Sequence, residues 1–450
     1  MKPAHPVTVI GGGLAGSEAA LQLARRGVPV TLIEMRPVRS GPAHHSDLFG
    51  ELVCSNSLKS DDPTSAAGAL KRELTMMGSQ VLEVARQCAV PAGGALAVDR
   101  DMFAVALTAR ITAEPLIRIE RREASSLPEG RVIIATGPLT SDALEPTLID
   151  LVGEGRLAFY DAAAPIVDAS SIDRSVVFAD SRYGKGGGAD YLNAPMNRDE
   201  YERFVHELVD ARRAIDKEFD RRELFAACQP IEEVARTGHD AIRFGALKPV
   251  GLTDPRTGNR PWAIVQLRAE NRDLTAYNLV GFQTNLRWGE QERVFRLIPG
   301  LEGAEFLRFG VMHRNTFVNA PSLLDATLAV RAKPRVRLAG QLTGTEGYLE
   351  AAATGLLAAL NTWAQIAGRP AVTMPREGVL GALVSYATDP ATTGYQPMHV
   401  NYGLVPPLPD RVRGKRERYA AYAERALDAT SALIRSRSDV FDAHDEGLHS

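Results

Sequence analysis

The sequence predicts an α/β fold in which a parallel sheet is interrupted by an inserted α+β domain. Two observations predict this fold class. Residues 7–34 have the pattern of a strand, a glycine turn, a helix and a second strand, which is a βαβ unit. The middle third of the chain carries segments in which apolar and polar residues alternate, as in antiparallel strands, and the strand–glycine–helix pattern returns after residue 319.

The elements of the first part follow from their own residues. We expect a strand over residues 7–10, a helix over 15–26, a strand over 28–34, a mostly helical stretch over 64–86 and a helix over 101–111. Residues 132–135 predict a fully apolar strand that ends at Thr136-Gly137-Pro138. Strands that are apolar on both faces are typical of a parallel sheet covered by helices.

The remaining elements indicate the domain organisation. Polar turns begin near residue 160, and alternating segments follow at 262–268 and 277–282. A strand at 336–340 then leads into a helix over 348–367, and the last predicted element is a charged helix over 411–435. We therefore expect residues 1–160 to form the first part of one domain, residues 161–309 an inserted domain, and residues 310–450 the second part of the first domain with a C-terminal helix.

The composition fits a large globular protein with no general attraction for nucleic acid. The 450 residues are 45% hydrophobic and 24% charged, which is enough apolar material for an extensive core. Because 52 Lys and Arg residues stand against 55 Asp and Glu residues, the net charge is -3. Any RNA-binding surface must therefore be a local patch.

Cysteine usage and the apolar segments predict a cytoplasmic protein. Cys54, Cys88 and Cys228 match neither a disulfide framework nor a CxxC metal or redox motif, which suits a reducing compartment. The first residues contain no apolar run of signal-peptide length. The most apolar region, residues 349–367, is interrupted by polar side chains, so we expect a buried helix there and no membrane span.

The first glycine turn carries a dinucleotide-binding fingerprint. Gly11-Gly12-Gly13-Leu14-Ala15-Gly16 directly follows a strand and opens a helix, and Glu34 ends the next strand. Glycines at these positions allow a tight turn and a close approach of the backbone to a pyrophosphate, while the carboxylate can bind ribose hydroxyls. The glycine pattern alone is a weak signal, but in this Rossmann context, with the acidic residue, it is strong.

Two later glycine segments favour FAD as the dinucleotide. An acidic residue after the second strand suits the unphosphorylated ribose of FAD or NAD. Ala135-Thr136-Gly137 at the end of an apolar strand, and Gly340 at the end of a late strand, resemble the flavin-contacting segments of the glutathione-reductase-like FAD-binding Rossmann fold. Because the sequence contains no second GxGxxG, we expect NADH or NADPH to bind only transiently at the flavin.

Four further stretches give the chain a specific family resemblance. They are Glu34-Met-Arg-Pro37 with Pro42-Ala-His44, Leu52-Val-Cys54-Ser-Asn-Ser-Leu58, Val311-Met-His313-Arg314-Asn-Thr316, and Gly340-Gln-Leu-Thr-Gly-Thr-Glu346-Gly347-Tyr348-Leu-Glu350. In this order, and over most of the chain, they resemble the folate- and FAD-dependent tRNA (uracil-5-)-methyltransferases of the TrmFO family. The related GidA or MnmG flavoproteins share the fold but are longer.

The resemblance implies a reaction with its cofactors and partners. The family transfers a methylene group from 5,10-methylenetetrahydrofolate to C5 of the T-loop uridine of tRNA and reduces it to methyl, with FADH2 as the reductant. A flavin fits this chemistry because a folate methylene is too oxidised to be a methyl group and needs a hydride. The alternatives are a plain FAD-dependent oxidoreductase, a GidA-like enzyme that modifies the wobble uridine of tRNA, and an RNA-binding scaffold with structural FAD.

Two cysteines fit the roles that this reaction needs, a thiolate that attacks C6 of uracil and a group that removes the C5 proton. Cys228 precedes Pro230 at the start of a predicted short helix, whose dipole favours a thiolate, although the residues alone fit a buried, inert cysteine equally well. Cys54 stands in a polar Ser-Asn-Ser setting, which is unusual for a core cysteine. With the resemblance, we assign Cys228 as nucleophile and Cys54 as its proton-handling partner, and we assign Cys88 to packing.

The resemblance also implies residues that bind flavin and folate. Glu346 and Gly347 would contact the flavin together with the glycine segments. His313, which stands beside Arg314, would stack on the folate pterin, and the alternative is a hydrogen-bonded structural histidine. Tyr348 is a second candidate for stacking, although aromatic residues more often serve packing.

The tRNA-binding residues are the least specific prediction. Arg221 and Arg222 belong to a basic helical stretch shortly before Cys228, and a second basic cluster occupies residues 411–418. Such runs are usually solvated helix faces. The short distance in sequence to the proposed nucleophile favours phosphate contacts for the first cluster.

Overall fold

The computed structural model describes residues 6–41, 43–152, 156–162, 164–184, 187, 189–215, 229–392 and 395–442. Up to residue 162 the elements are β1 (Val7–Ile10), α1 (Leu14–Ala24), β2 (Val30–Glu34), β3 (Ser57–Ser60), α2 (Ala66–Met76), α3 (Gln80–Gln87), β4 (Ala89–Val90), β5 (Ala95–Val98), α4 (Arg100–Thr112), β6 (Ile117–Arg121), β7 (Val132–Ile134), α5 (Glu145–Val152) and β8 (Arg156–Ala162).

The middle of the chain adds β9 (Ile166–Asp168), β10 (Phe178–Asp180), β11 (Tyr191–Met196), α6 (Arg198–Asp210), α7 (Ile231–Arg236), α8 (Ala241–Phe244), β12 (Ala263–Ala269), β13 (Ala276–Leu279), α9 (Trp288–Phe295) and β14 (Phe306–Arg308). The last part contains β15 (Met312–Val318), α10 (Ala320–Leu323), β16 (Ala329–Val330), β17 (Lys333–Leu338), α11 (Tyr348–Ile366), α12 (Val379–Thr388), α13 (Lys415–Ser436) and α14 (Ser438–Phe441). Short 3-10 turns cover Ala169–Ser171, Arg182–Gly184 and Gly340–Thr343.

The predicted parallel sheet is confirmed, and it contains strands from both ends of the chain. Its order is β16-β17-β7-β1-β2-β6, and every pairing except that of β16 with β17 is parallel. The carboxyl ends of parallel strands meet at one edge of a sheet. The glycine segments that follow β1, β7 and β17, at Gly11, Gly137 and Gly340, therefore lie at the same edge.

A second sheet comes entirely from the middle of the chain. Its order is β10-β11-β12-β13-β9-β14, and all of its pairings are antiparallel. Residues from this region also form a hydrophobic core of their own, which includes Phe204, Phe282 and Phe295. The strands β8 and β15, on either side of this region in sequence, pair with each other. The predicted antiparallel character of the middle block is confirmed, and the exact domain boundaries stay a prediction.

The helices follow the sequence pattern with two refinements, one of which is that the C-terminal helix begins at Lys415 and not at residue 411. The helical stretch predicted over residues 64–86 is two helices, because Gly78 has a φ of 73° and the side chain of Ser79 caps α3 by accepting from Leu82 N. The apolar helix α11 is almost entirely buried, as predicted, and packs against α1. None of the helices in the described ranges combines the length and the apolar character that crossing a membrane requires.

Candidate active site

A cavity of about 470 Å³ lies at the carboxyl ends of β1, β7 and β17. It brings together segments that are far apart in sequence and that the glycine pattern predicted to share a ligand. The predicted cofactor-binding residues on its surface are Gly11, Gly12, Gly13, Leu14, Ala15, Glu34, Thr136, Gly137, Gly340, Glu346 and Gly347. The cavity also contains Cys54 and Tyr348, which the sequence had assigned to the chemistry and to substrate binding.

Three positions of the first turn require glycine because a Cβ would collide with the surrounding protein. Gly11 has a φ of 102°, and a Cβ there would lie 2.5 Å from the carbonyl oxygen of Ala135. A Cβ on Gly12 would lie 2.3 Å from the ring of Phe49, and one on Gly16 would lie 1.8 Å from the carbonyl oxygen of Gly11. The fold itself therefore excludes side chains at these positions.

Gly13 differs from the other glycines of the turn. A Cβ on Gly13 would meet no protein atom within 4 Å, and the backbone φ of -74° is one that any residue can adopt. Because Gly13 lines the cavity, this Cβ would occupy cavity space. The fold does not require a glycine here, but a ligand that approaches the backbone closely does.

Two helix N-termini point their first turns at the cavity. The N-cap residues of α1 and α11 are Gly13 and Gly347, and neither offers a side chain that could accept from the backbone N–H groups of the first turn. Leu14 and Tyr348, the first residues of the two helices, line the cavity. Such uncapped N-termini carry partial positive charge and bind phosphate groups well.

Glu34 is an ionised carboxylate at the end of β2. It is 4% exposed, and its Oε2 accepts from Gly12 N at 2.7 Å while its Oε1 accepts from Arg36 Nε at 2.8 Å. Burial opposes ionisation, but hydrogen bonds from Arg36 and its charge hold the pKa of Glu34 below its ordinary value. Arg36 also pairs with Glu51 at 2.9 Å. The carboxylate is thus fixed beside the glycine turn, where a ribose would lie.

His44 supplies a polar atom that the cavity leaves without a partner. Its Nδ1 is buried and has no hydrogen-bond partner among the described residues. Burial and then the charge of Arg36 lower the pKa of His44 to about 4, so the ring is neutral. The unpaired nitrogen, the open cradle at Gly13 and the two uncapped N-termini fit a bound dinucleotide.

The loop of residues 52–58 carries Cys54 into the same cavity. The buried hydroxyl of Tyr348 accepts from Cys54 N at 2.8 Å and from Ser55 N at 3.2 Å. Burial, and then the neighbouring Cys54, raise the pKa of Tyr348, which keeps the hydroxyl protonated. Tyr348 had been assigned to stacking, and its hydroxyl has a second task, which is to position the Cys54 backbone.

Three arginines that the sequence did not single out hold this loop from outside. Arg308 donates to the carbonyl oxygen of Val53 at 2.6 Å, and Arg268 donates to the side chain of Asn56 at 2.9 Å. Arg100 donates to the carbonyl oxygen of Leu52, and its guanidinium pairs with Glu270 at 2.8 Å. Arg268 and Arg308 belong to the antiparallel sheet, so the middle region of the chain directly supports the Cys54 loop.

A lysine completes the described surface near Cys54. Lys59 Nζ pairs with the fully buried Glu350 at 2.7 Å and donates to the carbonyl oxygen of Glu346 at 3.3 Å. His399 also lines the cavity, and burial together with the charge of Lys59 lowers its pKa. The sequence predicted no role for Lys59 or for His399.

Several predicted site residues lie outside the described residues, or are described by their backbone alone. Cys228, Arg221 and Arg222 lie outside the described residues. For His313 and Arg314 only the backbone is described, on β15, where it pairs with β8. This strand is tied to the cavity because Thr316 N donates to the carbonyl oxygen of Pro138 at 3.0 Å, and Pro138 lines the cavity.

Cys88 occupies the position that the sequence predicted for it. It is 4% exposed, lies at the C-terminus of α3 and belongs to the main hydrophobic core. Burial raises the pKa of the thiol, which disfavours the reactive thiolate. Cys88 therefore serves packing.

Comparison with known proteins agrees with the family that the motifs indicated. The family model described as glucose inhibited division protein A matches residues 6–370. A curated protein of Pelobacter propionicus, named methylenetetrahydrofolate–tRNA-(uracil-5-)-methyltransferase TrmFO, is 55% identical over 432 residues, which cover 96% of this chain and 95% of the relative. The Enterococcus faecalis protein of the same name is 51% identical over 430 residues, with coverage of 96% and 99%.

Solved structures give an independent comparison of the fold. Two crystal forms of Aquifex aeolicus GidA superpose on this chain with TM-scores of 0.67 and 0.70, at 18% and 16% sequence identity. They cover 97% and 98% of this chain, which in turn covers 76% and 78% of the GidA chains. At that identity the likeness supports the fold alone. The identity and coverage of the curated relatives show more: this chain belongs to the TrmFO family.

Proposed function

We propose that this chain is the methylenetetrahydrofolate–tRNA-(uracil-5-)-methyltransferase of its organism, and that it uses FAD to form 5-methyluridine at the T-loop uridine of tRNA. One observation carries the proposal. In a chain that is 55% identical to a protein of that name, a single cavity joins a dinucleotide cradle to the loop that holds Cys54. A plain oxidoreductase has no need for a cysteine loop fixed at that place.

The chemistry explains why both features are needed. A methylene from 5,10-methylenetetrahydrofolate becomes a methyl group only after it has accepted a hydride, and FAD in its reduced form supplies hydride when it is bound. The described residues would bind the cofactor through the turn at Gly13, through Glu34, and through the N-termini of α1 and α11. NADH or NADPH would reduce the cofactor from a transient position, since the sequence carries one dinucleotide fingerprint.

We assign the two remaining cysteines to uracil activation. The thiolate of Cys228 adds to C6 of the uracil, which makes C5 a nucleophile toward the folate methylene. Cys54 removes the proton from C5 as the bond between the methylene carbon and the folate nitrogen breaks, which releases tetrahydrofolate and leaves an exocyclic methylene on the ring. This methylene accepts the hydride that the reduced cofactor would supply, and the C6–sulfur bond breaks to return the thiolate to Cys228. Support for Cys54 comes from its position in the cavity and from the hydrogen bond between its backbone and Tyr348.

The remaining assignments concern the substrates. His313 and Arg314 are proposed to bind the folate, because β15 adjoins the cavity at Pro138. Arg221 and Arg222 are proposed to contact tRNA phosphates. We further propose that the enzyme works in the cytoplasm, where its tRNA substrate is found, and that residues 161–309 form a domain inserted into the cofactor-binding domain.

The test is a reconstituted reaction with the purified protein. Incubation with unmodified tRNA, methylenetetrahydrofolate and NAD(P)H, followed by nucleoside analysis, should yield 5-methyluridine in the T-loop. Modification confined to the wobble uridine would instead place the chain with GidA in activity. Oxidation of NAD(P)H with no change in the tRNA would leave a plain oxidoreductase.

Cysteine variants test the proposed roles within the same assay. Cys228→Ala and Cys54→Ala should both purify with FAD, because neither residue belongs to the sequence segments proposed to bind it, and both should form no detectable 5-methyluridine. Release of tritium from C5-labelled uridine separates proton removal from the final reduction. Cys88→Ala is the control and should cost about one to three kcal/mol of stability with no loss of activity. Normal methylation by Cys228→Ala would contradict the nucleophile assignment.

A further inference from the structure

An aromatic column on the antiparallel sheet ends in an exposed tryptophan. The ring of Trp288 stacks on Phe309 with centroids 5.5 Å apart and planes 12° apart, and Phe309 stacks on Phe306 at 5.4 Å and 14°. Trp288 is 62% exposed even though it is among the largest apolar side chains. Parallel stacking that ends at the surface leaves a flat aromatic group oriented by the rings beneath it.

The surroundings of this tryptophan carry charges of both signs, since Glu207 and Glu290 pair with arginines there. Arg287, the N-cap residue of α9, is exposed, and its Nε donates to the carbonyl oxygen of Arg213 at 3.1 Å. No carboxylate pairs with Arg287 within the ranges that the structure describes. Arg212 and Arg293 lie nearby and share the carboxylate of Glu290. A phosphate group could therefore bind Arg287 without displacing an ion pair.

The column is connected to the active site through one strand. Arg308 stands between Leu307 and Phe309 in sequence, and its guanidinium donates to the carbonyl oxygen of Val53, next to Cys54. The two half-buried rings beneath Trp288, those of Phe306 and Phe309, therefore lie on the segment that supports the Cys54 loop.

Trp262 differs from Trp288 in how much of its ring is already in contact with other side chains. Two guanidinium groups stack on the ring of Trp262, that of Arg243 at 3.8 Å from the ring centroid and that of Arg198 at 5.5 Å. Its aromatic faces are thus used within the protein. Trp288 has a ring stacked on one face and most of its surface open.

We propose that Trp288 is a base-stacking platform for tRNA, with Arg287 as its phosphate-binding neighbour. Bases that leave their stack are commonly received by aromatic side chains, and a target uridine must leave its stack before its C5 can reach a buried cavity. A flat ring beside a basic residue matches an unstacked nucleotide in both shape and charge. The assignment rests on the proposed tRNA substrate and names the part of the surface that receives it.

The experiment measures affinity for unmodified tRNA without folate or NAD(P)H. Trp288→Leu keeps an apolar side chain over Phe309 but removes the stacking surface, and we expect tRNA affinity to fall about 5- to 150-fold. Trp288→Phe retains a ring and should recover most of the affinity. FAD content and melting temperature report whether each variant folds.

Salt dependence separates stacking from charge. Stacking releases no counterions, so Trp288→Leu should keep the slope of log affinity against log salt concentration. Arg287→Ala should make that slope less negative by about one. Phe244→Leu is the matched control, because Phe244 is 73% exposed, carries Arg243 against its ring, and should bind tRNA as the wild type does.

Two results would overturn the proposal. The first is wild-type tRNA affinity in folded Trp288→Leu. The second is equal loss of affinity in Phe244→Leu and Trp288→Leu, which would show that the loss is not specific to the Trp288 ring. Affinity is measured without turnover, so the two tests are independent. Failure of the wild type to form 5-methyluridine would contradict the proposed function, and the affinity of Trp288→Leu would still show whether Trp288 binds tRNA.

Discussion

The glycine turn of residues 11–16 and the loop of residues 52–58 line the same cavity, yet they are held by different means. The turn is fixed by its own backbone and its neighbours in the parallel sheet, with Glu34 accepting from Gly12 N. The Cys54 loop is fixed by side chains from distant parts of the chain, among them Tyr348 and Arg308. The position of the glycine turn therefore depends on the parallel sheet, whereas that of the Cys54 loop depends on side chains from distant parts of the chain.

The largest effect should come from Gly13→Val. Its side chain would meet no protein atom at Cβ but would occupy cavity space, so the protein should fold and lose its FAD. Flavin absorbance measures the bound FAD, and we expect it to fall below detection. The melting temperature measures folding, and we expect it to stay at about the value of the wild-type apoprotein.

Gly12→Ala is the matched control for this prediction. A Cβ at that position would lie 2.3 Å from the ring of Phe49, so the damage should appear as lost stability of about one to three kcal/mol, even without cofactor. If Gly13→Val retained stoichiometric FAD, the cavity at Gly13 would not be the pyrophosphate site. The comparison between the two variants separates a ligand-required glycine from fold-required ones.

The next effect should come from Tyr348→Phe, which removes the acceptor for two backbone N–H groups of the Cys54 loop. An unsatisfied buried donor costs about one to three kcal/mol, and a displacement of roughly 1 Å at a reacting group can cost about a hundredfold in rate. We expect 5-methyluridine formation to slow by about 10- to 100-fold. Single-turnover kinetics with saturating tRNA would measure it.

Tyr201→Phe serves as the control for a lost buried hydroxyl. Tyr201 donates to the carbonyl oxygen of His239 at 2.7 Å, in the middle region of the chain and away from the cavity-lining residues. It should lose stability and keep the rate of methylation. A wild-type rate in Tyr348→Phe would show that the Cys54 loop is positioned by its arginines alone.

The same contrast explains how much could be predicted from the sequence. The helices α1 and α11 follow from glycine turns and apolar periodicity, and their observed bounds lie within two residues of the predicted ones. The predicted cofactor residues of the glycine turn came from a motif whose spacing is set by the backbone. Arg268 and Arg308 gave no such signal, because each acts on a loop more than two hundred residues away. No local pattern encodes a contact of that range.

For a third group of residues, the sequence motifs included the residue but did not predict the contact that it makes. Arg36 appeared only as part of a family motif, although it is buried and binds both Glu34 and Glu51. Tyr348 was predicted to stack, whereas the described contact is made by its hydroxyl. A motif identifies which residues matter, and the packing around them decides which of their atoms are used.

The smallest effect concerns His44, which lies between the Arg36 network and the cavity. Burial, and then the charge of Arg36, lower its pKa to about 4 from an ordinary value near 6.5, so the folded protein binds fewer protons there than the unfolded chain. Stability from this group is present above about pH 6.5 and is lost as the pH falls toward 4. Between pH 7 and pH 5 the wild type should lose about 2 kcal/mol more unfolding free energy than His44→Gln, as measured by urea unfolding.

The His206→Gln variant is the control and should follow the wild type, since the side chain of His206 on α6 is 73% exposed. Equal losses in wild type and His44→Gln would mean that the ring is already protonated or hydrated in the folded protein, and the cavity beside Glu34 would then be wet and not a desolvated cofactor site.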